Sequence, residues 1–574
     1  MKNSEIAKIF FETANYLKMK DETFRSVAYN KVALTLESMD QDVEDIYNKG
    51  GLKALEEIPG VGKNLAQKIE EYIKTGKIKS YLDLKKKTPI KLDEISRIEG
   101  MGPKKARVLF EKLGIKNVKD LERAAKDHKI APLFGFGEKT EKNILEGIEF
   151  LKKDKGRSLL GYIMPYVEEI LARLGSLKEV KEISIAGSTR RMKETIGDVD
   201  ILVASNKPEK VMDFFVSLPG VVKIWGKGKT KSSVRTNQGF DVDLRIVKVE
   251  SFGSALQYFT GSKEHNIATR RVAISKGLKL NEYGVFKGQK RIAGRTEQDV
   301  YKAIGLSYIP PEMREDTGEV ELDKLPKIIG YEDIRGDLHC HSSWDGGDNS
   351  IKEMIASAKE MGYEYIGISD HTKFLRIEKG LNEKQLLDQR KEIEKLNNAM
   401  PAGRQEFRVL QGCEANIMSN GSLDIKDNVL AQLDYVIAGV HSAMKIPRDR
   451  MNQRIINAMK NPNVNIFSHP TGRLLLRRDE YQIDFDKILR AAKEYNVVLE
   501  INSSPERLDL KDVNIRRAKE AGVKMIINTD SHKKNQLKLI KFGIAQARRG
   551  WAEKEDIINT ESAEKLLKCF QKLK

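Results

Sequence analysis

Strand and helix patterns alternate after residue 335, and this alternation limits the possible folds more than any other feature of the sequence. Following a connector rich in Pro, Glu and Asp at 310–333, short apolar runs are separated by amphipathic segments such as 350–362 and 485–496. Repeated strand–helix units imply a parallel sheet, and seven of them favour a closed barrel. The predicted strands are Asp337–His341, Tyr365–Ser369, Arg408–Cys413, Tyr435–Val440, Val464–Phe467, Val497–Ile501 and Lys524–Asn528.

Side chains that can ligate metals follow these strands at their carboxyl ends. Six of the eight histidines of the chain lie in this region. A single histidine there is more often a structural capping residue, but the repetition favours one shared site, because the carboxyl ends of barrel strands converge. Imidazoles mixed with carboxylates suit Zn²⁺, Mn²⁺ or Fe²⁺ and favour hydrolysis. The residues are His339, His341, Asp370, His371, Glu414, His441, His469, Asn502, Asp530 and His532.

Two pairs of aspartates mark the middle of the chain. Asp198 and Asp200 lie two positions apart on a predicted strand, so both carboxylates project from one face. Asp241 and Asp243 repeat the arrangement in FDVDLRIV. Three carboxylates on adjacent strands can hold two Mg²⁺ ions about 3.5–4 Å apart, as in-line phosphoryl transfer requires. The alternative for either pair alone is ordinary surface alternation.

A small polar loop precedes the first pair of aspartates. The segment AGSTRR places Gly187 and Ser188 at the end of a predicted strand, beside Arg190 and Arg191. A tight turn, a hydroxyl and a guanidinium together can hold a triphosphate. We therefore expect a nucleotide next to the carboxylates.

A short cassette recurs three times in residues 1–150, which otherwise read as short amphipathic helices. Each copy has the pattern apolar–x–Gly–apolar–Gly and leads into a helix. The glycines permit a hairpin whose N–H groups face one point, and the helix N-terminus adds its positive end, which predicts a phosphate site. The alternative for one copy is an ordinary helix–helix turn. The copies are Ile58–Lys63, Ile98–Pro103 and Leu133–Glu138.

This cassette resembles the helix-hairpin-helix motif. The resemblance implies a grip on the sugar-phosphate backbone of DNA, with Na⁺ or K⁺ bound at the hairpins. Lys68 lies on the helix after the first hairpin, where a partly desolvated lysine could attack a sugar aldehyde; the alternative is a phosphate-contacting or solvated lysine. The candidate DNA-binding residues are Gly60, Gly62, Lys63, Gly100, Gly102, Lys104 and Lys105.

Composition limits the setting in which the chain acts. Lys and Arg total 102 against 84 Asp and Glu, so the charge of +18 is compatible with a polyanionic partner. The absence of an apolar run of about eighteen residues, and of a signal sequence, argues against membrane insertion and secretion. Three cysteines cannot form a disulfide framework. We expect a cytoplasmic, monomeric protein of several domains.

The middle motifs resemble those of family X DNA polymerases, the beta-like nucleotidyltransferases. AGSTRR, GDVDIL and VDLR occur in the order of that family's palm, and residues 258–262 (YFTGS) and 281–283 (NEY) resemble its thumb. The resemblance covers about residues 1–315 and implies Mg²⁺ or Mn²⁺, dNTPs, and gapped or primed double-stranded DNA. It implies that Asp198 and Asp200 bind both metals, and that Asp243 binds the catalytic metal and assists deprotonation of the primer 3′-OH.

The same resemblance assigns nucleotide-binding roles. The residues expected at the triphosphate are Gly187, Ser188, Arg191 and Gly197. Those expected to line the sugar pocket and exclude a 2′-OH are Tyr258, Phe259 and Gly261, while Asn266 and Arg270 face the nascent pair and the template. Lys68 matches the family's lyase lysine, but Asn64 stands where the polymerase beta branch has a further lysine, so lyase activity stays open.

The motifs DLHCHS, SDH and TDSH resemble the PHP (polymerase and histidinol phosphatase) family, whose fold is a distorted (β/α)7 barrel around three metals. The implied ligand sets are His339, His341, Glu414 and Asp530 for one metal; Glu414, His441 and His469 for a second; and Asp345, His371 and His532 for the third. The acid follows His341 by four residues, where the family has five, so Asp345 and Asp348 stay alternatives. The other ligands are present, and we expect an active enzyme.

The fusion of both modules matches bacterial and archaeal family X polymerases. The predicted function is short-gap filling in base-excision repair, with 3′–5′ exonuclease or 3′-end phosphoesterase action in the PHP domain. One rival is a PHP repair nuclease with a vestigial polymerase core, and another is a non-catalytic DNA-binding scaffold. The predicted domains are 1–85 and 86–150 (all-α helix-hairpin-helix), 151–255 (α+β palm), 256–315 (thumb), 316–334 (linker) and 335–574 (PHP barrel).

Overall fold

Two compact units make up the chain. The computed structural model describes residues 2–37, 39, 41–87, 90–95, 98, 101–138, 140–142, 144–145, 148, 157–400, 407–476 and 478–570. Unit 1 comprises the chain up to residue 157 together with 171–186 and 197–308, and unit 2 comprises 158–170, 187–196 and 309 onwards. Two short segments of the predicted palm region, 158–170 and 187–196, therefore belong to the unit that contains the C-terminal module.

Amphipathic helices fill the N-terminal part of unit 1, as the sequence predicted. Their apolar sides share one core, which includes Phe10, Leu36 and Leu109. Gly62 and Gly102 are the N-caps of the helices that follow the first two cassettes. The helices are Lys2–Met19, Thr23–Glu37, Val43–Glu56, Lys63–Thr75, Lys79–Lys87, Leu92–Ile95, Pro103–Leu113 and Val118–Lys126.

A five-stranded sheet forms the centre of the palm in unit 1. Its strands lie in the order β2-β4-β7-β6-β5, and β4 and β7 run parallel while the other pairs are antiparallel. Along β7 every second side chain is buried, which leaves the alternate residues on the opposite face. The strands are β2 (Glu182–Ile185), β4 (Asp198–Ala204), β5 (Val221–Lys227), β6 (Lys231–Thr236) and β7 (Asp241–Val247). Helix Pro208–Val216 connects β4 to β5.

Helices and a small antiparallel sheet complete unit 1 in the predicted thumb region. Helix Phe252–Thr260 ends at Gly261, whose φ of 70° favours glycine. Its elements are the 3₁₀ turn Val249–Ser251, helices Phe252–Thr260, Lys263–Ser275 and Glu297–Ala303, and strands β8 (Lys279–Asn281), β9 (Gly284–Lys287) and β10 (Lys290–Ala293).

The two short segments in unit 2 pair with each other. Strands β1 (Ser158–Leu159) and β3 (Thr195–Ile196) form a two-stranded antiparallel sheet. Helix Leu160–Gly175 follows β1 and continues into unit 1, and the single turn Gly187–Arg190 precedes β3.

Parallel strands alternate with helices in the C-terminal module of unit 2, which confirms the predicted pattern. The predicted strand Arg408–Cys413 ends at Gln411 and a further short strand, Glu414–Asn416, follows it, so the described residues of the module form eight strands rather than seven. They form one sheet of three strands and one of five, and isolated bridges Cys340–Ser531 and His371–Glu414 link residues near the strand ends. A continuous closed barrel is therefore not confirmed. The strands are β11 (Gly336–Cys340), β12 (Tyr365–Ile368), β13 (Arg408–Gln411), β14 (Glu414–Asn416), β15 (Ile437–Gly439), β16 (Ile466–Phe467), β17 (Val498–Asn502) and β18 (Met525–Asn528).

Apolar helix faces cover these sheets and form the core of the module, which includes Ile455, Leu499 and Ile527. The helices are Ile351–Glu360, Glu383–Asn398, Asp427–Leu430, Arg448–Met459, Phe485–Glu494, Asp512–Glu520, Ile540–Arg549 and Ala563–Cys569. The 3₁₀ turns are Pro311–Met313, Arg376–Glu378, Lys534–Leu539, Lys554–Asp556 and Ile558–Thr560. Across the described part of the chain, none of the helices has the length and apolar character needed to span a bilayer.

Candidate active sites

The palm strands bring the three predicted carboxylates of unit 1 to one face. In the parallel β4–β7 pair, Asp200 lies opposite Asp243 and Asp198 lies opposite Asp241. Residues that pair in register point to the same side of a sheet, and Val199 and Val242 are buried on the other side. The sequence thus predicted that Asp198 and Asp200 lie on one face of their strand. The parallel pairing of β4 with β7, which brings Asp243 beside them, is visible only in the structure.

Neighbouring side chains distinguish the two aspartates of β7. The Ser233 hydroxyl donates to Asp243 Oδ1 at 2.6 Å, and Lys231 Nζ lies 2.6 Å from Asp243 Oδ2. Asp241 instead accepts a hydrogen bond of 2.8 Å from the Trp225 indole and pairs with Arg235. Asp243 is therefore the member of this pair that faces Asp200 with a positioned carboxylate.

Negative charge accumulates on this face. Burial, followed by repulsion from Asp198 and Asp243, raises the pKa of Asp200 to about 7. Burial and the charge of Asp243 also raise the pKa of Asp198. A divalent cation would relieve both effects, because it supplies positive charge and replaces lost hydration. The donor set, carboxylate oxygen alone, suits Mg²⁺ or Mn²⁺.

The loop predicted to hold a triphosphate belongs to unit 2. Gly187 begins it with a φ of 59°, and Ser188 accepts a backbone hydrogen bond from Lys193. Arg191 donates through Nε to Glu315 at 3.0 Å. Gly197 follows the loop directly and begins the next stretch of unit 1.

The predicted sugar-pocket residues lie together at the end of helix Phe252–Thr260. Tyr258 and Phe259 contact each other edge to face, with ring centroids 5.1 Å apart. Asn266 donates to the Tyr258 carbonyl at 2.7 Å, and the Arg270 guanidinium lies 5.9 Å from the Tyr258 ring. Gly261 ends the helix beside them. The structure thus brings these five predicted residues into one cluster.

The helix-hairpin-helix cassettes share one turn geometry. The N–H of the second apolar residue donates to the carbonyl of the first, as Val61 does to Ile58 at 2.9 Å, and the same bond recurs in the other two copies. Gly60 has a φ of 86°, and Gly62 caps the next helix. The N-terminal N–H groups that follow such a cap can bind an anion.

The lysines around these hairpins differ in their contacts. Lys63 is exposed, Lys104 lies 3.1 Å from Asp21, and the Lys105 ammonium lies 5.7 Å from the Phe136 ring of the third copy. Lys68 is half-buried and donates to the Ser80 hydroxyl at 2.9 Å. Gly102 is described, whereas Gly100 lies outside the described residues.

Glu414 lies at the centre of the histidine cluster in unit 2. Its Oε1 is 3.2 Å from His441 Nε2 and 3.0 Å from His469 Nε2. Its Oε2 is 2.8 Å from His371 Nδ1 and 3.3 Å from His339 Nε2. One carboxylate thus bridges histidines from four strand ends, as expected for an acid shared between metals.

Asp530 forms a second focus of the same cluster. Its Oδ1 lies 3.7 Å from His339 Nε2 and 3.4 Å from His341 Nε2, and the His532 ring stacks on His341 with centroids 4.1 Å apart. In the described chain, sets of at least three possible ligand atoms within 4.8 Å of one another occur only in this cluster. They are His341, His371 and His532; His339, His341 and Asp530; His371, Glu414 and His441; and His341, Asp345 and Asp370.

The unpaired nitrogens of this cluster fit divalent cations. The buried Nε2 atoms of His339 and His341 and the buried Nδ1 of His371 lie near carboxylate oxygens but are not aligned for a hydrogen bond with them. A buried polar atom without a partner costs about 1–3 kcal/mol, which a coordinated cation would recover. Imidazole and carboxylate donors suit Mn²⁺, Zn²⁺ or Fe²⁺.

Electrostatics in the cluster follow from dense burial of opposite charges. Burial opposes the charged form of His339, but Glu500, Glu414 and Asp530 outweigh it and raise its pKa well above the usual value. Burial likewise opposes ionisation of Glu414 and Asp530, but attraction to His339 keeps both pKa values well below normal. At His469 burial prevails and lowers the pKa to about 4. The carboxylates are thus ionised and require positive charge nearby.

The alternative between Asp345 and Asp348 has a geometric answer. Asp345 Oδ2 lies 2.8 Å from His341 Nδ1 and accepts the His371 N–H at 2.9 Å, and the carboxylate is buried. Asp348 is exposed and pairs with Lys533 at 2.8 Å. Of these two acids, Asp345 is the one that lies in the cluster.

Two buried acids that the sequence left out of the ligand sets also lie in the cluster, Glu500 in contact with histidines and Asp370 near His341. Glu500 Oε1 lies 2.7 Å from His339 Nδ1, and its Oε2 accepts the His469 N–H at 2.8 Å. Asp370 accepts from the backbone and hydroxyl of Ser342, and burial raises its pKa to about 7. Glu500 lies inside a predicted buried strand, and only its polarity there could have drawn attention to it.

The C-terminal module carries a buried histidine–carboxylate cluster and the palm carries facing aspartates, which is typical of an enzyme with two separate metal-dependent sites. Family models match four regions of the chain. The helix-hairpin-helix domain matches residues 1–78, a SAM-like helix-hairpin-helix tandem matches 92–149, the DNA polymerase beta thumb matches 255–315, and the PHP domain matches 337–504.

A full-length relative identifies the family. The DNA polymerase/3′-5′ exonuclease PolX of Bacillus subtilis (strain 168) is 36% identical over 569 residues, covering 98% of both chains. A probable phosphatase of Clostridium acetobutylicum is 34% identical over 207 residues, covering 34% of this chain and 78% of its own. A probable phosphatase of Thermoanaerobacter sp. (strain X514) is 38% identical over 143 residues, 23% of this chain and 56% of its own. The chain belongs to the PolX family of DNA polymerase/3′-5′ exonucleases.

Proposed function

We propose that this chain fills short gaps in DNA during base-excision repair, and that its C-terminal module trims or cleans the 3′ end. The observation that carries the proposal is the pairing of Asp200 with Asp243 across parallel strands, with Asp198 on the same face. A polymerase needs clustered carboxylates for its metals, and an exonuclease alone would not require this second site. Family membership over 98% of both chains favours the same conclusion.

In the proposed polymerase site, Asp198 and Asp200 would hold both metal ions and Asp243 would hold the catalytic one. Bound Mg²⁺ or Mn²⁺ would stabilise charge on the transferring phosphate. Ser233 and Lys231 hold the Asp243 carboxylate in one orientation, from which it can accept the proton of the primer 3′-OH. We propose Gly187, Ser188, Arg191 and Gly197 as triphosphate contacts.

The proposed sugar pocket consists of the Tyr258 cluster. Tyr258 and Phe259 pack against each other beside Gly261, and we propose that this packing excludes a 2′-OH and so favours dNTPs over ribonucleotides. From the neighbouring helix, Asn266 holds the Tyr258 carbonyl and Arg270 lies near the Tyr258 ring, and we propose that both face the nascent base pair.

In the proposed exonuclease site, three divalent cations would be held by the cluster around Glu414 and Asp530. The bound cations would supply hydroxide at neutral pH and neutralise the phosphodiester. Glu500 and Asp345 would fix the rings of His339 and His341 through their Nδ1 atoms. The distorted (β/α)7 barrel, the domain boundaries predicted above and the three ligand sets form part of this proposal.

Phosphate contacts by the three hairpins would keep DNA bound to the protein through both reactions. The repeated turn and the capped helix starts support this role, which is independent of base sequence. Gly60, Gly62, Lys63, Gly100, Gly102, Lys104 and Lys105 are the proposed contacts, with Na⁺ or K⁺ at the hairpins. Lys68, which donates to the Ser80 hydroxyl, is the proposed lyase nucleophile, with a phosphate contact as the alternative.

A labelled one-nucleotide-gapped duplex, incubated with and without dNTPs, tests the two activities. We expect Asp243→Ala to abolish extension and retain 3′ digestion, and His341→Ala to do the reverse. Asp213→Ala is the matched control, because Asp213 is exposed and pairs with the surface residue Lys227. Loss of both activities in either folded variant would refute the division of labour, and digestion without extension by the wild type would favour the vestigial-polymerase alternative.

A further inference from the structure

The predicted triphosphate loop is attached to the C-terminal module rather than to the rest of the palm. Residues 187–196 belong to unit 2 with 309–574, although the loop starts directly after palm strand β2 and its neighbour Ala186. Within unit 2, β3 at the end of the loop pairs with β1, and Leu160 N–H donates to the Glu194 carbonyl at 3.1 Å. The end of the loop is therefore hydrogen-bonded to residues 158–160 of unit 2.

A buried arginine of the C-terminal module contacts the loop at the residue expected to bind phosphate. Arg549 ends helix Ile540–Arg549, and its side chain is 2% exposed. Its Nη1 donates to the Arg191 carbonyl at 2.9 Å and to Glu315 at 3.0 Å, while Nη2 donates to Asp512 at 2.5 Å. Three acceptors thus fix one guanidinium, which in turn fixes the backbone of Arg191.

Glu315 joins the two arginines. It accepts from Arg191 Nε at 3.0 Å and lies 3.6 Å from Lys193. Burial opposes its ionisation, but Arg549, Arg191 and Lys193 outweigh burial and lower its pKa. Both the backbone and the side chain of Arg191 are thereby held by groups of unit 2.

A second arginine fixes the far end of the loop. Arg473, which is 8% exposed, makes a two-point contact with Glu194, with Nη2–Oε1 of 2.5 Å and Nη1–Oε2 of 3.2 Å. The same guanidinium donates to the Leu508 carbonyl. Paired contacts of this type resist rotation as well as separation.

We propose that Arg549 and Arg473 are positioning residues for the incoming nucleotide, so that the PHP module serves DNA synthesis as a scaffold, independently of its metal cluster. The inference rests on the proposed role of Arg191 at the triphosphate. It assigns to the C-terminal module a part in nucleotide binding, beyond hydrolysis. It also explains why two buried arginine side chains contact the loop at residues 191 and 194.

Steady-state gap filling by the full-length protein tests the scaffold. For Arg549→Met we expect the KM for dNTP to rise about tenfold, the size of one lost charge-assisted hydrogen bond, with little change in kcat or in DNA affinity. Arg549→Lys, which keeps the positive charge but presents a single nitrogen, is expected to recover part of the loss. The adjacent Arg548→Met is the matched control, because Arg548 contacts Glu312 and the Ile329 carbonyl but not the loop.

Exonuclease activity in the same preparations reports whether the module is folded. If Arg549→Met also loses digestion, the Glu194→Gln variant provides the test. This substitution weakens the contact with Arg473 from the loop side, and we expect it to raise the KM for dNTP while digestion stays intact. An unchanged KM for dNTP in folded Arg549→Met, or in Glu194→Gln where the former is unfolded, would overturn the proposal. Wild-type protein that fails to extend primers would instead refute the proposed polymerase function.

Discussion

Replacing Asp200 with asparagine is expected to stabilise the metal-free palm while abolishing synthesis. Burial and the charges of Asp198 and Asp243 raise the pKa of Asp200 from 3.8 to about 7. Each pKa unit corresponds to about 1.4 kcal/mol, so ionised Asp200 costs the folded protein about 4 kcal/mol above neutral pH. Asparagine has the same shape without the charge, and we expect a gain of about 2–4 kcal/mol.

The sign of the pH dependence follows from linkage. Between about pH 4 and pH 7 the unfolded carboxylate has lost its proton while folded Asp200 retains it, so this group makes the wild type less stable as pH rises. The advantage of Asp200→Asn should be near zero at about pH 4, grow through this window and remain constant above about pH 7.

Trp225 allows the palm to be followed by itself. The chain has 3 tryptophans, and Trp344→Phe with Trp551→Phe leaves only Trp225, whose indole contacts Asp241 on the palm sheet. Guanidinium unfolding in EDTA at about pH 5 and pH 8, followed by its fluorescence, gives the difference in free energy of unfolding. Asp213→Asn, which weakens a surface ion pair, should change the free energy of unfolding by less than about 1 kcal/mol. Destabilisation by Asp200→Asn at pH 8, or the same effect at both pH values, would refute the electrostatic account.

Two further predictions concern the histidine cluster. Asp345→Ala should reduce 3′ digestion and bound metal at least tenfold, because the Asp345 carboxylate contacts His341, whereas Asp348→Ala should leave both unchanged. Metal analysis and exonuclease assays of the two variants measure this, and equal or reversed effects would contradict the assignment. Glu500→Gln should lower metal affinity and digestion about 10–100-fold by releasing the ring of His339, while gap filling continues at the wild-type rate. A metal affinity equal to that of the wild type, measured by titration, would show that Glu500 has no such role.

Local patterns made much of the fold predictable. The alternation of strands and helices after residue 335, the two-residue spacing of Asp198 and Asp200, and the glycine hairpins depend on sequence periods and turn residues, which neighbouring residues determine. Histidines at strand ends could be grouped because the carboxyl ends of parallel strands lie on one edge. These features are sufficient to predict the palm carboxylates and the histidine cluster from the sequence.

Features that depend on distant pairing were not accessible in this way. The break between β13 and β14, and the two sheets in place of one continuous barrel, depend on which strands share hydrogen bonds.

Sequence alone determined the residue types of both sites and their order along the chain, because covalent spacing fixes which side chains can share a face. Tertiary structure decided that Asp345 rather than Asp348 contacts His341, that Glu500 supports the cluster, and that Arg549 holds the loop of Arg191. Such contacts join residues far apart in the chain, and packing of whole elements, rather than local sequence, selects among them.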